Sequence, residues 1–542
     1  MTIIPVNASG MIQIFCIYKK LTLYIIVIKN MEDISTVINA LNAGNLVQAE
    51  TICRNIINKN PQHAEALHLM GIIQLRSGKL HDAETSLRTA LQIKPDEAPP
   101  YSSLGNVLAR LGRFEEAVEC HKHAISLIPS SAKARSNLAS AYLSWNKIDP
   151  AIEEFRNAVS MEPNYAELHF NLGTALQKGE KYEEACVSFR SALELNPDHE
   201  RANMNLGTSL RSLGLLDEAI LYLRRATGLA PDYADAQWNL ALALLMSGDY
   251  INGWKAYEWR LKIPDITIRK FPQPFWDGSV RPDSTLLIHA EQGIGDTIQF
   301  IRYAAIARKK VGRVILYCHA PLVKLFSEIN GVDQIVSAGA PLPGFDFQLP
   351  LLSLPGVVGI TADKITDRIP YLKADMGLIN KWRSKIIPEK FKVGLVWAGN
   401  PKHLDDHNRS CKLSAFANLM KMPEVIFYSL QKGNSDTQPI NRTEITNLID
   451  AGIELTDFAD TAALIANMDL VISVDTAVAH LAGALGCRVW TLLPFAPDWR
   501  WMLNREDTPW YPTMRLFRQS RFGDWDGVLA NVEQALKAYI RS

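Results

Sequence analysis

Small and apolar residues recur along the first half of the chain with a constant period of 34 residues. Prolines mark the period at Pro61, Pro95, Pro129, Pro163, Pro197 and Pro231, and small residues follow ten positions later at Gly71, Gly105, Ala139, Gly173, Gly207 and Ala241. Each proline ends a helix, because it lacks an amide hydrogen and crowds the preceding residue. The pattern predicts antiparallel helix pairs that cross closely at Gly or Ala and bury their apolar faces by stacking.

This pattern resembles the tetratricopeptide repeat (TPR) and predicts an all-α superhelical solenoid of about six repeats over residues 31–265. A degenerate seventh unit begins near Ala234, with Gly253 in place of alanine. That unit also holds three tryptophans, Trp238, Trp254 and Trp259. We expect them to form a hydrophobic junction with the next domain, with ligand binding as the alternative. Such arrays present a concave surface to proteins or peptides, although a spacer role is also open.

After Leu261 the 34-residue phase disappears, and the Pro- and Gly-containing segment 266–283 predicts a linker. Short apolar runs then alternate with helical patterns, which indicates βαβ units and parallel sheets. The predicted strands are 284–290, 312–318, 391–397, 425–430, 469–474 and 488–493. A helix and connector at 378–389 separate two Rossmann-like lobes, 284–376 and 377–542. Ligands bind at the carboxyl ends of such strands, so the loops that follow strands carry the candidate chemistry.

The first of these loops runs from His289 into a helix through Gly293 and Gly295, which permit a tight turn and close approach of a ligand. Asp296 follows, either as a functional carboxylate or as a cap of the helix that it opens.

The second loop contains Asp475, Thr476 and Ala477 and also leads into a helix. Thr476 and the free amides of the first helical turn suit a diphosphate. His480 lies one turn later on the face of Thr476, and a core histidine satisfied by local contacts is the alternative.

A third loop, 397–409, offers Lys402, His403, His407 and Arg409 as cations for a phosphate. Arg409 could donate two hydrogen bonds at once. The four-residue spacing of the two histidines does not by itself predict a metal site.

Together these motifs resemble the heptosyltransferase-like glycosyltransferases, which have the GT-B fold of two Rossmann-like lobes. The resemblance covers about 284–542 and rests on the G-I-G-D turn, Gly293 to Asp296, and on D-T-A-V-A-H-L-A-G-A-L-G, from Asp475 to Gly486. It implies an inverting transfer without a metal or cofactor, with a nucleotide-sugar as co-substrate. The implied base is Asp296, and the implied donor contacts are Gly293, Gly295, Arg409, Asp475, Thr476, Ala477 and His480.

Two features differ from those heptosyltransferases. The last strong strand is followed by a long loop with Trp499, Arg500 and Trp501, which could contact a base, sugar or anion or could pack between the lobes. Repeats before a GT-B domain also resemble the O-linked N-acetylglucosamine transferases, and the 429–433 segment with Lys432 resembles a nucleotide-contacting element there. Heptose and hexosamine donors therefore both stay open, as does a non-catalytic scaffold with a degenerate transferase-like domain.

The composition of the chain restricts the kinds of partner that it can bind. The chain has 57 basic and 57 acidic residues, so no overall field attracts nucleic acid or an anionic membrane. Its seven scattered cysteines predict neither zinc binding nor disulfides, and favour the cytoplasm. The apolar run 21–28 is too short to span a membrane, which takes about 20 residues. We therefore expect residues 1–30 to be an extension outside the fold, and the partners to be a nucleotide-sugar and a protein or polysaccharide acceptor.

Overall fold

The computed structural model describes residues 34–264, 269–365, 369–403, 405–432 and 447–541. The predicted extension, residues 1–30, lies outside this part of the chain. The chain divides into two compact units, one that ends at Asn205 and one that begins at Leu206. This division falls inside the repeats rather than at the predicted linker, so the last repeats belong to the same compact unit as the α/β domain.

Fourteen α-helices follow one another between residue 34 and Tyr257 in the described chain, as seven helix–turn–helix pairs. They are α1 (34–42), α2 (Leu46–Lys59), α3 (Ala64–Arg76), α4 (Leu80–Ile93), α5 (Ala98–Arg110), α6 (Phe114–Leu127), α7 (Ala132–Ser144), α8 (Ile148–Met161), α9 (Ala166–Lys178), α10 (Tyr182–Leu195), α11 (Glu200–Ser212), α12 (Leu216–Leu229), α13 (Ala234–Ser247) and α14 (Tyr250–Tyr257). The prediction of a helical repeat array is confirmed. Each phased proline lies just beyond a second helix; Asn60, before Pro61, is extended with φ −142° and ψ 91°, as the residue before proline requires.

The small-residue column lies at the predicted crossings. A Cβ added to Gly71 would lie 2.5 Å from Leu87 Cγ, and one on Gly207 would lie 2.6 Å from Leu223 Cγ. At Gly105 the facing residue is His121, whose ring is fully buried with no hydrogen-bond partner for either nitrogen in the described chain. Burial lowers the pKa of His121 to about 4.

The first lobe of the α/β domain is built on a four-stranded parallel sheet. Its strands are β1 (Arg281–His289), β2 (Val311–Cys318), β3 (Gln334–Ser337) and β4 (Phe347–Pro350), in the order β3-β2-β1-β4. The helices of this lobe are α15 (Ile294–Phe300), α16 (Ala304–Arg308) and α17 (Leu354–Val358).

The second lobe is built on a six-stranded parallel sheet, β10-β9-β8-β5-β6-β7. Its elements are α18 (Met376–Arg383), β5 (Phe391–Val396), α19 (Asp406–Arg409), β6 (Val425–Ser429), β7 (Leu448–Ile449), α20 (Phe458–Ile465), β8 (Leu470–Val474), α21 (Ala477–Ala484), β9 (Val489–Leu493), β10 (Met514–Arg518) and α22 (Trp525–Arg541). All six predicted strands are present. The pattern missed β3, β4, β7 and β10, which are short or alternate with charged residues instead of forming long apolar runs.

The segment predicted as a linker is partly built into the first lobe. Residues 274–276 lie alongside β4, where the Trp276 amide donates to the Gln348 carbonyl at 2.9 Å. The Trp276 side chain is buried. The prediction of a free linker over 266–283 was wrong for these residues, because an aromatic ring there completes the core.

The seventh helix pair contacts the first lobe directly. Trp254 of α14 is buried, packs edge-on against Phe300, and donates its indole N–H to the Ile360 carbonyl at 3.0 Å. The buried Arg260 guanidinium donates to Glu291 at 2.8 Å. The expected hydrophobic junction is therefore present at Trp254. No helix in the described chain is long and apolar enough to cross a membrane.

Candidate functional site

The three candidate loops follow strands at the points where each sheet reverses its strand order. In the first sheet the reversal lies between β1 and β4, and the loop after β1 carries Gly293 and Gly295. In the second it lies between β5 and β8, whose loops lead to Arg409 and to Asp475. Such switch points are where open parallel sheets bind ligands.

Helix α15 of the first lobe packs against α21 of the second, and Gly295 is the contact point. A Cβ added there would lie 2.9 Å from His480 Cδ2 and 3.4 Å from the Cα of Ala477. A side chain larger than hydrogen would push the two helices apart. The structure thus brings the G-I-G-D turn and the D-T-A-V-A-H helix together, as the site prediction requires.

His480 is buried and held by aromatic neighbours. Its Nδ1 lies 3.0 Å from the Tyr511 hydroxyl oxygen, and its ring stacks on Trp501 with 5.2 Å between centroids. Burial lowers the pKa of His480, and the positive charge of Arg500 lowers it further, so the imidazole is neutral. These contacts match the core-histidine alternative, and a direct contact with the donor stays a prediction.

Thr476 is the residue before the first turn of α21, with extended backbone angles of φ −141° and ψ 173°. Its hydroxyl lies 3.1 Å from that of Ser473, at the end of β8. Burial raises the pKa of the adjacent Asp475 to about 6, and the negative charge of Asp498 acts in the same direction. Trp501, Arg409 and Arg500 oppose this rise, which places two cations beside the start of α21.

Asp296 uses its two carboxylate oxygens differently. One accepts a hydrogen bond from the Gly293 amide at 2.8 Å, so Asp296 does cap the helix that it opens. The other accepts from Arg500 of the second lobe. The sequence did not predict this ion pair, which links the proposed base to the loop after β9.

Arg500 has three acceptors for its guanidinium. Besides Asp296, its Nε donates to Gln299 Oε1 at 2.6 Å and its Nη1 to Asp498 Oδ1 at 2.9 Å. Burial acts to lower the pKa of Arg500, but Asp498 and Asp296 outweigh it and raise the pKa, so the group is a permanent cation.

Trp499 is buried in a cluster of aromatic side chains. It is 2% exposed and lies among Trp254, Phe300 and Trp510, with centroid distances of 5.5 to 6.5 Å. These contacts match the packing alternative, and a contact of Trp499 with a base or acceptor stays a prediction. An aromatic loop residue reaches the core here because the seventh helix pair supplies aromatic partners.

The remaining cations lie in two places. The Nε of Arg409 is 3.4 Å from Asp406 Oδ1, and its charge acts on Asp475, His480 and His403. Lys432 instead donates to the Thr456 carbonyl at 2.6 Å. The charge of Arg409 therefore acts on the second loop. A contact of Arg409 or Lys432 with the donor stays a prediction.

A cavity of about 630 Å³ opens beside the third loop, between residues 398–415 and the start of α22. Asp406, Lys412 and Trp525 are among its lining residues, but Asp296, Thr476 and His480 are not. This cavity therefore lies to one side of the contact between α15 and α21. Within the described residues, no group of three or more His, Cys, Asp or Glu side chains could hold a metal ion.

Sequence reasoning missed three residues that contact the candidate site residues, namely Asp498, Gln299 and Tyr511. It named Trp501, which the structure stacks on His480. For Gln299 there was a signal, because it lies three residues after Asp296 and thus on the same helix face. No sequence signal indicated Tyr511, since only the tertiary fold brings it to His480.

Comparison with known families matches these two regions separately. Tetratricopeptide-repeat models match residues 40–111, 101–128, 139–179 and 170–234. The model of glycosyltransferase family 9 (heptosyltransferase) matches residues 439–500, which include Asp475 to His480. The chain therefore contains tetratricopeptide repeats and, in its α/β half, a segment similar to glycosyltransferase family 9.

One curated relative is Protein FlbA of Caulobacter vibrioides, which is 28% identical over 330 residues, or 56% of this chain and 55% of the relative. The chain thus aligns with about half the length of this relative. Among solved structures, Pseudomonas aeruginosa pilF is 21% identical and covers 38% of this chain and 94% of its own, with a TM-score of 0.34. YrrB, a TPR protein with an unusual peptide-binding site, is 21% identical over 34% of this chain and 95% of its own, with a TM-score of 0.29.

Proposed function

We propose that this protein is a glycosyltransferase that moves a sugar from a nucleotide-sugar to an acceptor held by its repeats. The observation that carries the proposal is the contact of Gly295 with His480 and Ala477, which joins two motifs at the switch points of both sheets. The family 9 match over the second motif supports a sugar donor. The acceptor is a protein or polysaccharide, because repeats of this kind bind extended partners, and we place the reaction in the cytoplasm.

In this proposal the donor diphosphate lies at the amino end of α21. The free amides there and the helix dipole stabilise its negative charge, and Arg409 adds a cation. Asp296 accepts the proton of the acceptor hydroxyl as that oxygen attacks the sugar carbon from the face opposite the leaving diphosphate. The configuration inverts, and the protein's own amides and cations stabilise the leaving group without a metal.

A thermal-shift screen of nucleotide-sugars, followed by titration of the best ligand, tests this function. Thr476→Val removes one hydroxyl at nearly constant volume and should weaken binding about tenfold, the effect of losing one hydrogen bond to a charged group. Thr461→Val is the matched control, because its hydroxyl donates to the carbonyl of Asp457, the residue that precedes α20. If no nucleotide-sugar binds, or if both variants bind like the unchanged protein, the proposal fails.

One observation favours a second candidate, a binding scaffold without turnover. Both oxygens of Asp296 are engaged, one by the Gly293 amide and the other by Arg500. A scaffold would bind its partner equally well with Asp296→Asn, and would release no nucleoside diphosphate from a bound nucleotide-sugar in the presence of that partner. Donor-dependent release that Asp296→Asn abolishes would exclude it.

A further inference from the structure

We propose that Arg500 holds Asp296 while the donor site is empty and exchanges this carboxylate for the donor's diphosphate when a nucleotide-sugar binds. The inference rests on the proposed function and adds regulation to the same site. Donor binding would then free the base, so that Asp296 acts only when there is a sugar to transfer.

The contacts of Arg500 make one of its partners replaceable. Asp498, two residues earlier in the same loop, and Gln299 hold the Nη1 and Nε sides of the guanidinium at 2.9 and 2.6 Å. The Trp499 ring lies 4.5 Å from the guanidinium carbon and is itself fixed in the aromatic core. The Nη2 side is left for Asp296. Asp296 can therefore leave without Arg500 losing its position.

The Asp296 side of the pair is also the side that meets solvent. The Asp296 side chain is 20% exposed, whereas that of Arg500 is 7% exposed. An incoming anion can thus approach the Nη2 atom where the carboxylate now lies. A diphosphate offers several acceptor oxygens to the planar guanidinium, and arginine binds phosphate with parallel hydrogen bonds.

Arg500 is also in the right place for the donor. Its charge acts on both Asp475 and His480, which flank the first turn of α21. The next residue, Trp501, stacks on His480. The guanidinium therefore borders the helix end at which the diphosphate is proposed to bind.

Both carboxylate oxygens of Asp296 are occupied while this contact lasts, one by the Gly293 amide and the other by Arg500. The oxygen that faces Arg500 is therefore not directed at an acceptor hydroxyl. Transfer of Arg500 to the diphosphate frees this oxygen and adds a cation to the leaving group. A single exchange thus changes both the acceptor side and the leaving-group side of the reaction.

Isothermal titration of the full chain with ADP, UDP, GDP and CDP tests this exchange. Asp296→Asn removes the charge that competes for Arg500 while keeping an oxygen for the Gly293 amide. It should tighten binding of the preferred nucleotide about tenfold, the effect of one charge-assisted hydrogen bond. Arg500→Gln should weaken binding about tenfold, and the double variant should bind like Arg500→Gln alone. The matched control is Asp375→Asn, a carboxylate that caps α18 by accepting the Leu378 amide.

Asp296→Ala is the second variant if Asp296→Asn folds poorly, and native circular dichroism is required of each protein. If neither variant tightens binding while the unchanged protein binds a nucleotide, the pair is only structural and the exchange is overturned, but the proposed function stands. If the unchanged protein and every variant bind none of the four nucleotides, the proposed function and the exchange both fail.

Discussion

The helix crossings of the repeats and the junction of the two lobes both depend on a glycine that admits a neighbour closely, but the neighbours differ. In the sixth pair Gly207 meets Leu223 of the next helix, 16 residues later. Between the lobes Gly295 meets His480, 185 residues later. The first contact is apolar and recurs with the repeat period, whereas the second is unique and is surrounded by charged and aromatic partners. The recurring contact packs the helices of each pair together, whereas the contact at Gly295 brings the two candidate motifs together.

The largest effect should come from Trp499→Ala, which removes the aromatic support beneath Arg500. Truncating a buried tryptophan costs about 3–5 kcal/mol of unfolding free energy. Urea unfolding followed by near-ultraviolet circular dichroism measures the loss. Trp259→Ala is the control from the same junction, because Trp259 is only partly buried, with the Lys262 Nζ 3.8 Å from its ring centroid. Equal losses in the two variants would contradict the assigned role of Trp499 in the core.

An intermediate effect should come from His121→Leu. His121 is the polar residue at a helix crossing where the equivalent residues, such as Leu87 and Leu223, are apolar. The pKa of His121 is lowered to about 4 in the fold, so the unfolded chain, with a pKa near 6.5, binds the proton first. Stability therefore falls as the pH drops from about 6.5 towards 4, by about 1.4 kcal/mol per unit. When the pH falls from 7 to 5, the unfolding free energy of His121→Leu should therefore rise by about 2 kcal/mol relative to that of the unchanged protein.

Unfolding midpoints in urea at the two pH values measure this difference. Phe189→Leu is the control, since Phe189 faces Gly173 at the equivalent crossing and does not titrate. If both variants change stability by a pH-independent amount, the ring of His121 is not held neutral.

The smallest change in stability is expected when two glycines of one helix pair, one tightly packed and one open, are each replaced by alanine. Gly207→Ala places a Cβ 2.6 Å from Leu223 and 3.0 Å from the Ala219 carbonyl, so overpacking should exceed the helix propensity gain and cost about 1 kcal/mol. In α12, Gly228→Ala meets nothing within 4 Å and should stabilise by about 0.5–1 kcal/mol. Thermal melting of both variants measures the difference in sign. Two shifts of the same sign would show that the crossing is not tightly packed.

The fold could be predicted well from the sequence where the signal was local. The proline column located the end of each repeat, and the apolar runs located six strands of the two sheets, because each buried strand must be apolar along its length. Edge strands such as β7 gave no such signal, since only part of each is buried. The linker was misjudged at Trp276, whose proline- and glycine-rich surroundings predicted a loop while its ring completes a core.

By itself, the sequence determined the repeat array, the parallel sheets and the two strand-to-helix turns. These depend on periodicity and on the residue types that a turn or a helix start permits. Only the tertiary structure decided that Asp296 pairs with Arg500, that Trp499 belongs to the core and that Tyr511 holds His480. The physical reason is that these partners lie on different elements far apart in the chain. No local rule of spacing or propensity relates them until the lobes and the seventh helix pair have packed.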